Sequence, residues 1–267
     1  MGDKMDLGLT NRVAIVAASS QGLGKAVALA LAQEGAKVAL CARHEATLAT
    51  TAEEIRRATG AEVLAQATDV TQYDQVHRFV AATTERFGRV DICVANAGGP
   101  PSKPFSGTTL EDWEAGVKLN LMSTVYFARD VLPLMQSRKW GRFIAITSVA
   151  VKQPIEGLIL SNAVRSAVSG LVKTLSNEYA KDNVLVNNIC PGYTLTARLD
   201  ELASTLAAAE GTARERIHER WNRQIPMLRL GTPEEFANVV AFLASERASY
   251  VTGISIAVDG GLVKGIY

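Results

Sequence analysis

Short runs of apolar residues recur along the chain, separated by longer segments with apolar residues spaced as on one face of a helix. The runs are rich in Val, Ile and Ala and are bounded by small or polar residues, a pattern typical of strands buried on both faces of a sheet. They occupy residues 13–17, 38–41, 63–67, 90–95, 143–147, 184–189 and 254–258. Helical spacing intervenes, for example at residues 24–34, 46–59, 73–87 and 117–135. Strands alternating with helices predict an α/β fold with a doubly wound, mainly parallel sheet and helices on both faces.

One segment departs from this alternation. Residues 197–226 are rich in Ala, Arg and Glu, contain Trp221, and lie between the sixth apolar run and the next helical pattern. We predict a helical lid inserted before the last helix and strand; the alternative is a segment that serves subunit packing alone. The 267 residues show no internal repeat or low-complexity linker, so we expect residues 1–267 to form a single domain.

Composition narrows the classes of function. The formal net charge is +1 and the basic residues are scattered, which argues against a nucleic-acid or anionic-membrane surface. No stretch reaches the roughly 18 apolar residues of a membrane span, and we expect a cytoplasmic protein. Cys41, Cys93 and Cys190 lie far apart inside apolar runs, which indicates small buried side chains rather than disulfides or a metal site.

A small-residue turn follows the first predicted strand and opens directly into a helix. A strand, a tight turn and a helix N-terminus present unpaired backbone N–H groups to a pyrophosphate, and residues without bulk let the backbone approach it. The sequence therefore predicts a dinucleotide site, whose first part is made of Ala18, Ser20, Gln21, Gly22, Leu23 and Gly24.

The turn follows the pattern Gly-x-x-x-Gly-x-Gly with Ala18 in the first position, and further motifs follow later predicted strands. Together they resemble the short-chain dehydrogenase/reductase family, in particular its 3-oxoacyl-carrier-protein reductase branch. The resemblance covers nearly the whole chain and implies a Rossmann-type fold. It also implies that the cofactor contacts the residues after the third, fourth and sixth strands, which are Asp69, Val70, Asn96, Ala97, Gly98, Pro191, Gly192, Thr194 and Thr196.

The end of the second predicted strand bears on the choice between NAD and NADP. A carboxylate there would accept hydrogen bonds from the ribose hydroxyls and repel a 2′-phosphate. Ala42 occupies the expected acid position, and the adjacent Arg43 offers a forked guanidinium suited to a phosphate. We predict NADP(H), with NAD(H) as the alternative if Arg43 is only a solvated side chain.

The resemblance implies four catalytic positions: a Tyr that donates the proton, a Lys that lowers the pKa of this Tyr and holds the ribose, a Ser that binds the substrate oxygen, and an Asn that anchors a water. Asn120 and Ser148 match two of them. Spacing from Ser148 places the Tyr at Ser161 and the Lys at Arg165, and no Tyr anywhere in the chain is followed four residues later by Lys.

These differences alter the predicted chemistry. An aliphatic hydroxyl is a much weaker acid than the Tyr phenol, whose ordinary pKa is about 10. Arg165 is still able to bind the ribose or stabilise a developing alkoxide, but a guanidinium is a poor proton shuttle. Candidates for the proton source are Lys152, Glu156, Tyr193 and a water polarised by Ser148 and Arg165; each of the three side chains also fits a structural or solvated role.

The leading hypothesis is an NADP(H)-dependent oxidoreductase that interconverts a ketone and a secondary alcohol with an atypical proton donor. The alternative is a nucleotide-binding or regulatory protein on the same fold that has lost ordinary ketoreduction. Apolar side chains of the predicted lid favour a partly apolar small-molecule substrate, and by analogy with the family we expect a homotetramer whose subunits meet through the helices around residues 117–135 and 161–179.

Overall fold

The computed structural model describes residues 5–266. Strands and helices alternate along most of the chain. The strands are β1 (Val13–Ala17), β2 (Lys37–Ala42), β3 (Val63–Ala67), β4 (Ile92–Ala95), β5 (Gly141–Ile146), β6 (Val184–Pro191) and β7 (Ser255–Val258). The helices are α1 (Gly22–Gln33), α2 (Glu45–Thr59), α3 (Tyr73–Phe87), α4 (Leu110–Gly116), α5 (Ser123–Ser137), α6 (Ile159–Tyr179), α7 (Ala197–Glu210), α8 (Arg214–Gln224) and α9 (Pro233–Ala244).

The strands form one parallel seven-stranded sheet in the order β3-β2-β1-β4-β5-β6-β7, which confirms the predicted doubly wound fold. Strand β1 lies between β2 and β4. Strands β2 and β3 are added on one side of β1 and strands β4 to β7 on the other, so the strand order switches sides at this point. In open α/β sheets, ligands bind outside the carboxyl ends of the strands at such a switch point.

Two apolar cores cover the two faces of the sheet, and alternate residues of each strand contribute to one or the other. In β1, Val16 packs into the core beneath α1, α2 and α9, whereas its neighbour Ile15 packs into the core beneath α3, α5 and α6. Alternation of this kind follows from the two-residue period of a strand and explains why the strands read as continuous apolar runs.

One predicted helix differs from the structure. The helix expected at residues 117–135 begins earlier, at Leu110, and a π-helical segment (Val117–Met122) joins α4 to α5. Thr109 caps the start of α4 in a capping box with Asp112, which explains the earlier beginning. Single π-helical turns occur frequently at functional sites, and this one contains Asn120.

The segment predicted as a lid folds as α7 and α8. Both helices pack around Trp221 in a third, smaller apolar cluster that also contains Leu199, Ala203 and Ile217. Trp221 stacks on Tyr193, with ring centroids 4.7 Å apart and an interplanar angle of 15°. Movement of α7 and α8 as a lid stays a prediction.

Candidate active site

A cavity of about 530 Å³ opens at the carboxyl ends of the strands, on both sides of the β1/β4 switch point. Every residue predicted to bind the cofactor lines it, and so do Ser148 and Ser161. Asn120 is the one predicted site residue that does not line the cavity, because it lies buried behind Gly98. The fold thus brings together segments that are separated by as many as 178 residues, from Ala18 to Thr196.

The turn after β1 is shaped for close approach of a ligand to the backbone. Ala18 adopts a φ of 48°, and Gly22 a φ of 57°, both in the left-handed region. A Cβ on Gly24 would lie 2.3 Å from the carbonyl oxygen of Ala18, so only glycine fits where α1 crosses the turn. Gln21 precedes α1 without a side-chain cap, which leaves backbone N–H groups at this end for an anion.

Arg43, at the end of the cavity beside β2, is exposed and makes no hydrogen bond or ion pair with any residue that the structure describes. Ala42 precedes it and offers no carboxylate. After β3, the Asp69 carboxylate accepts hydrogen bonds from the Thr71 backbone and hydroxyl at 2.9 and 2.8 Å, which fixes this turn. This end of the cavity therefore presents one unpaired guanidinium and one carboxylate that is partly occupied by its own turn.

The segment after β6 forms the opposite wall. A Cβ on Gly192 would lie 2.7 Å from the Cβ of Asp259, so this turn also requires glycine. The Thr196 hydroxyl donates to the Thr194 carbonyl oxygen at 3.3 Å and accepts from Leu199 N at 3.3 Å, which caps α7. The Thr196 side chain thereby joins the segment that follows β6 to the start of α7.

Arg165 occupies the floor of the cavity and is 8% exposed. Its Nη1 donates to the carbonyl oxygens of Ile146 (3.1 Å) and Thr147 (3.0 Å), and its Nη2 donates to that of Gly98 (3.3 Å). Because a guanidinium has five N–H groups, these bonds leave one on Nε and one on Nη2. Burial lowers the pKa of Arg165 to about 10, so the side chain remains a cation at neutral pH.

Asn120 lies directly behind this floor. Its Nδ2 donates to the carbonyl oxygen of Gly98 at 2.8 Å, the same atom that accepts from Arg165. Its Oδ1 is buried and accepts no hydrogen bond from any described residue. A buried acceptor without a protein partner is rare, and in folded proteins such an atom usually accepts a hydrogen bond from an ordered water.

Ser148 and Ser161 face the same cavity from two elements. Ser148 follows β5, and its hydroxyl accepts a hydrogen bond from Ala150 N at 3.1 Å, which leaves its own proton free to donate. Ser161 lies in the first turn of α6, and its hydroxyl makes no hydrogen bond with the residues described.

Comparison with known proteins agrees with this geometry. The family described as enoyl-(acyl carrier protein) reductase matches residues 17–263. The chain belongs to the short-chain dehydrogenase/reductase family. Members of this family are NAD(P)H-dependent ketoreductases and dehydrogenases that act on CH–OH and C=O groups.

Three relatives illustrate the range of this family. The chain is 36% identical to the 3-oxoacyl-[acyl-carrier-protein] reductase of Synechocystis sp., over 96% of this chain and 98% of that one. It is 31% identical to the D-beta-hydroxybutyrate dehydrogenase of Rhizobium meliloti, with 94% and 98% covered. The structure of L-sorbose reductase from Gluconobacter frateurii, complexed with NADPH and L-sorbose, superposes with a TM-score of 0.93 at 34% identity, with 98% and 100% covered.

The structure separates the candidate proton donors of this short-chain dehydrogenase/reductase. Glu156 is exposed, and neither Glu156 nor Lys152 lines the cavity. Tyr193 does line it, but its ring is stacked on Trp221, and burial raises the pKa of its hydroxyl. Ser148 and Arg165 both line the cavity, and each keeps a donor that no described residue uses.

Arg198 is the main site residue missing from the predictions. It lies at the start of α7, lines the cavity, and donates from Nη2 to the carbonyl oxygen of Pro100 at 3.2 Å. Its position two residues after Thr196, at the start of the segment predicted to form a lid, was the available signal. A charged side chain at the start of a helix is otherwise typical of a solvated surface.

The remaining side chains with ligand chemistry lie elsewhere. Cys41, Cys93 and Cys190 are buried, as expected, and free, and burial raises the pKa of each thiol. His77 is exposed on α3, whereas His218 on α8 is partly buried against Trp221. Within residues 5–266 no group of His, Cys, Asp or Glu is arranged to hold a metal ion, and no helix there is long and apolar enough to cross a membrane.

Proposed function

We propose that the protein is an NADPH-dependent reductase that converts a ketone to a secondary alcohol without a tyrosine proton donor. The observation that carries this proposal is the placement of Ser148 and Arg165, both with unused donors, in the cavity that also contains the dinucleotide motifs. Names of relatives range from 3-oxoacyl-carrier-protein reductase to L-sorbose reductase, so they support the reaction class and leave the substrate open.

The residues fit a dinucleotide. The left-handed turn at Ala18 and Gly22, with the uncapped start of α1, would hold the pyrophosphate. Arg43, which lacks a partner among the described residues, would hold a 2′-phosphate, and this supports NADPH over NADH. When bound, the nicotinamide supplies the hydride to the substrate carbon.

The protein then has to stabilise the negative charge that develops on the substrate oxygen. We infer that Ser148 donates its hydroxyl hydrogen to this oxygen, and that a free N–H of Arg165 stabilises the negative charge as the carbonyl becomes an alkoxide. Three backbone carbonyls fix the guanidinium in advance, so little reorganisation is needed during the reaction. A water beside Ser148 and Arg165 protonates the alkoxide, and the hydroxide that remains takes up a proton from the bulk solvent, which is the one proton that the overall reduction consumes.

The alternative function is nucleotide binding without turnover. The same three hydrogen bonds favour it, because they give Arg165 a structural role that does not depend on catalysis. Losing a positioned general acid costs about 10²–10⁴-fold in rate. A slow enzyme and an inactive binding protein would therefore share this fold, and a measurement of turnover distinguishes them.

The decisive experiment compares the wild type with the double variant Ser161→Tyr/Arg165→Lys. Fluorescence titration first measures NADPH binding, and oxidation of NADPH is then followed with 3-oxoacyl esters, diketones and oxo acids. Our proposal expects measurable turnover by the wild type and a lower rate in the double variant, because Lys cannot make all the bonds of Arg165. Turnover that is absent in the wild type and appears only in the double variant would establish the binding protein instead.

The homotetramer remains part of the proposal and rests on analogy with the family. Size-exclusion chromatography with light scattering measures the mass of the assembly directly, and the mass of a single chain would contradict it.

A further inference from the structure

A second guanidinium, that of Arg198, lies at the edge of the cavity, and its side chain is 53% exposed. Arg198 reaches from α7 to the loop after β4, where its Nη2 donates to Pro100 O at 3.2 Å. Its side chain passes over Gly99, since a Cβ on that residue would lie 3.6 Å from both Nε and Nη2 of Arg198. The guanidinium therefore connects α7 to the loop after β4 at the edge of the cavity.

Arg198 and Arg165 place two like charges at this end. The charges are close enough that Arg198 lowers the pKa of Arg165, in addition to the larger effect of burial. Glu201 accepts a hydrogen bond from Arg198 at 3.4 Å, but this carboxylate is exposed and does not line the cavity. Among the described residues that do line it, Asp69 is the one carboxylate, and it follows β3.

We infer that the substrate is an oxo acid whose carboxylate binds Arg198 while its carbonyl meets Ser148 and Arg165. Two guanidinium groups without a carboxylate between them repel each other, and an anion placed beside them removes this cost and forms charge-assisted hydrogen bonds. A guanidinium fork matches the two oxygens of a carboxylate. This inference rests on the proposed function for the identity of the reacting carbonyl.

Apolar side chains border the same region and define the kind of oxo acid. Val149 and Ile155, from the connection between β5 and α6, line the cavity together with Leu199 and Leu202 on α7. They fit a short hydrocarbon chain attached to the oxo acid, in keeping with the partly apolar substrate predicted from the sequence.

The experiment measures binding without turnover. The protein is saturated with NADP⁺, which has no hydride to give to a ketone. Acetoacetate and 4-oxopentanoate are then titrated by calorimetry, each against its methyl ester. We expect the wild type to bind each acid at least about tenfold more tightly than its ester, because a charge-assisted hydrogen bond contributes about 1.5–3 kcal/mol.

Variants identify the residue responsible. Arg198→Met is expected to remove the preference for the acid and leave ester binding unchanged, while Arg198→Lys retains part of it. The control is Arg223→Met, which removes the same charge from an exposed position on α8.

Three outcomes would overturn the inference: equal binding of acid and ester by the wild type, equal loss of both in Arg198→Met, or weaker binding of NADP⁺ itself in that variant. The last of these would assign Arg198 to the cofactor phosphates. Failure of the proposed function is distinct from all three, because it appears as absence of NADPH oxidation in a protein that still binds the acids through Arg198.

Discussion

Arg165 and Asn120 are joined through one backbone atom, since both donate a hydrogen bond to the carbonyl oxygen of Gly98, at 3.3 and 2.8 Å. This atom belongs to the turn after β4, so the two side chains tie α6 and the π-helical segment to the sheet at the switch point. The position that the family resemblance assigns to a catalytic lysine thus also holds the cavity floor together.

Arg165→Met is expected to lower the free energy of unfolding by about 2–4 kcal/mol, because it leaves three buried carbonyl oxygens with fewer donors. Arg165→Lys, which keeps the charge but has three donors on one nitrogen, is expected to fall between this variant and the wild type. Urea unfolding measures the difference. Arg223→Met serves as the control, and a change below about 0.5 kcal/mol for Arg165→Met would show that these bonds contribute little.

The fold was readable from the sequence because the strands are continuous apolar runs. Strand β3 and helix α3 were predicted with the bounds observed. The hydrogen-bond partners of Arg165 could not be predicted from the sequence. They are backbone carbonyl oxygens 18 to 67 residues away, and every residue has such an oxygen whatever its side chain. The π-helical segment was missed for a related reason, since one extra residue in a turn hardly alters an apolar pattern.

Arg43→Gln is expected to weaken NADPH binding by about 10–100-fold and leave NADH binding nearly unchanged. The reason is that NADPH has a 2′-phosphate for the guanidinium to bind, whereas NADH has none. Fluorescence titration with both cofactors measures this. Arg57→Gln removes the same charge from an exposed position on α2 and should bind both cofactors as the wild type does. An equal loss for NADPH and NADH would contradict the assignment of Arg43 to the 2′-phosphate.

Ala18→Gly is expected to stabilise the protein by about 0.5–1 kcal/mol. Ala18 has a φ of 48°, and the left-handed conformation costs an L-residue about 1–2 kcal/mol, which exceeds the roughly 0.4–1 kcal/mol lost through the greater freedom of glycine in the unfolded chain. Urea unfolding is again the measurement. Ala18→Val should have the opposite sign, and stabilisation by valine would show that strain at this turn is absent.

We predict that the Glu235 carboxylate makes the stability of the protein depend on pH. Its hydrogen bonds from Arg229 (2.6 and 2.8 Å) and from Thr232 N (2.9 Å) lower its pKa from 4.5 to about 2. The unfolded chain therefore takes up the proton first as the pH falls, so the stabilisation is complete above about pH 5 and is lost towards pH 2.

Glu235→Gln should accordingly lower the urea midpoint at pH 7, and the difference from the wild type should shrink between pH 5 and pH 3. Glu234→Gln is the matched control, because this neighbouring exposed carboxylate has no partner among the described residues. A difference that is constant with pH would mean that the ion pair with Arg229 does not contribute.

Substitution of Trp221 tests whether α7 and α8 open independently of the sheet. Trp221 is 3% exposed and packs on Tyr193, in a cluster separate from the two cores of the sheet. Trp221→Ala removes a contact whose loss in a core costs about 3–5 kcal/mol. If the two helices open as a unit, hydrogen exchange should accelerate across Ala197–Glu210 and Arg214–Gln224 while the amides of Pro233–Ala244 keep their protection.

Trp113→Ala provides the comparison, because Trp113 is only partly buried and lies on α4, outside this cluster. It should leave exchange in α7 and α8 unchanged. Faster exchange throughout the protein after Trp221→Ala would mean that α7 and α8 unfold together with the sheet. A lid that moves during each reaction cycle requires faster exchange in α7 and α8 alone, because opening of the lid must cost less free energy than global unfolding.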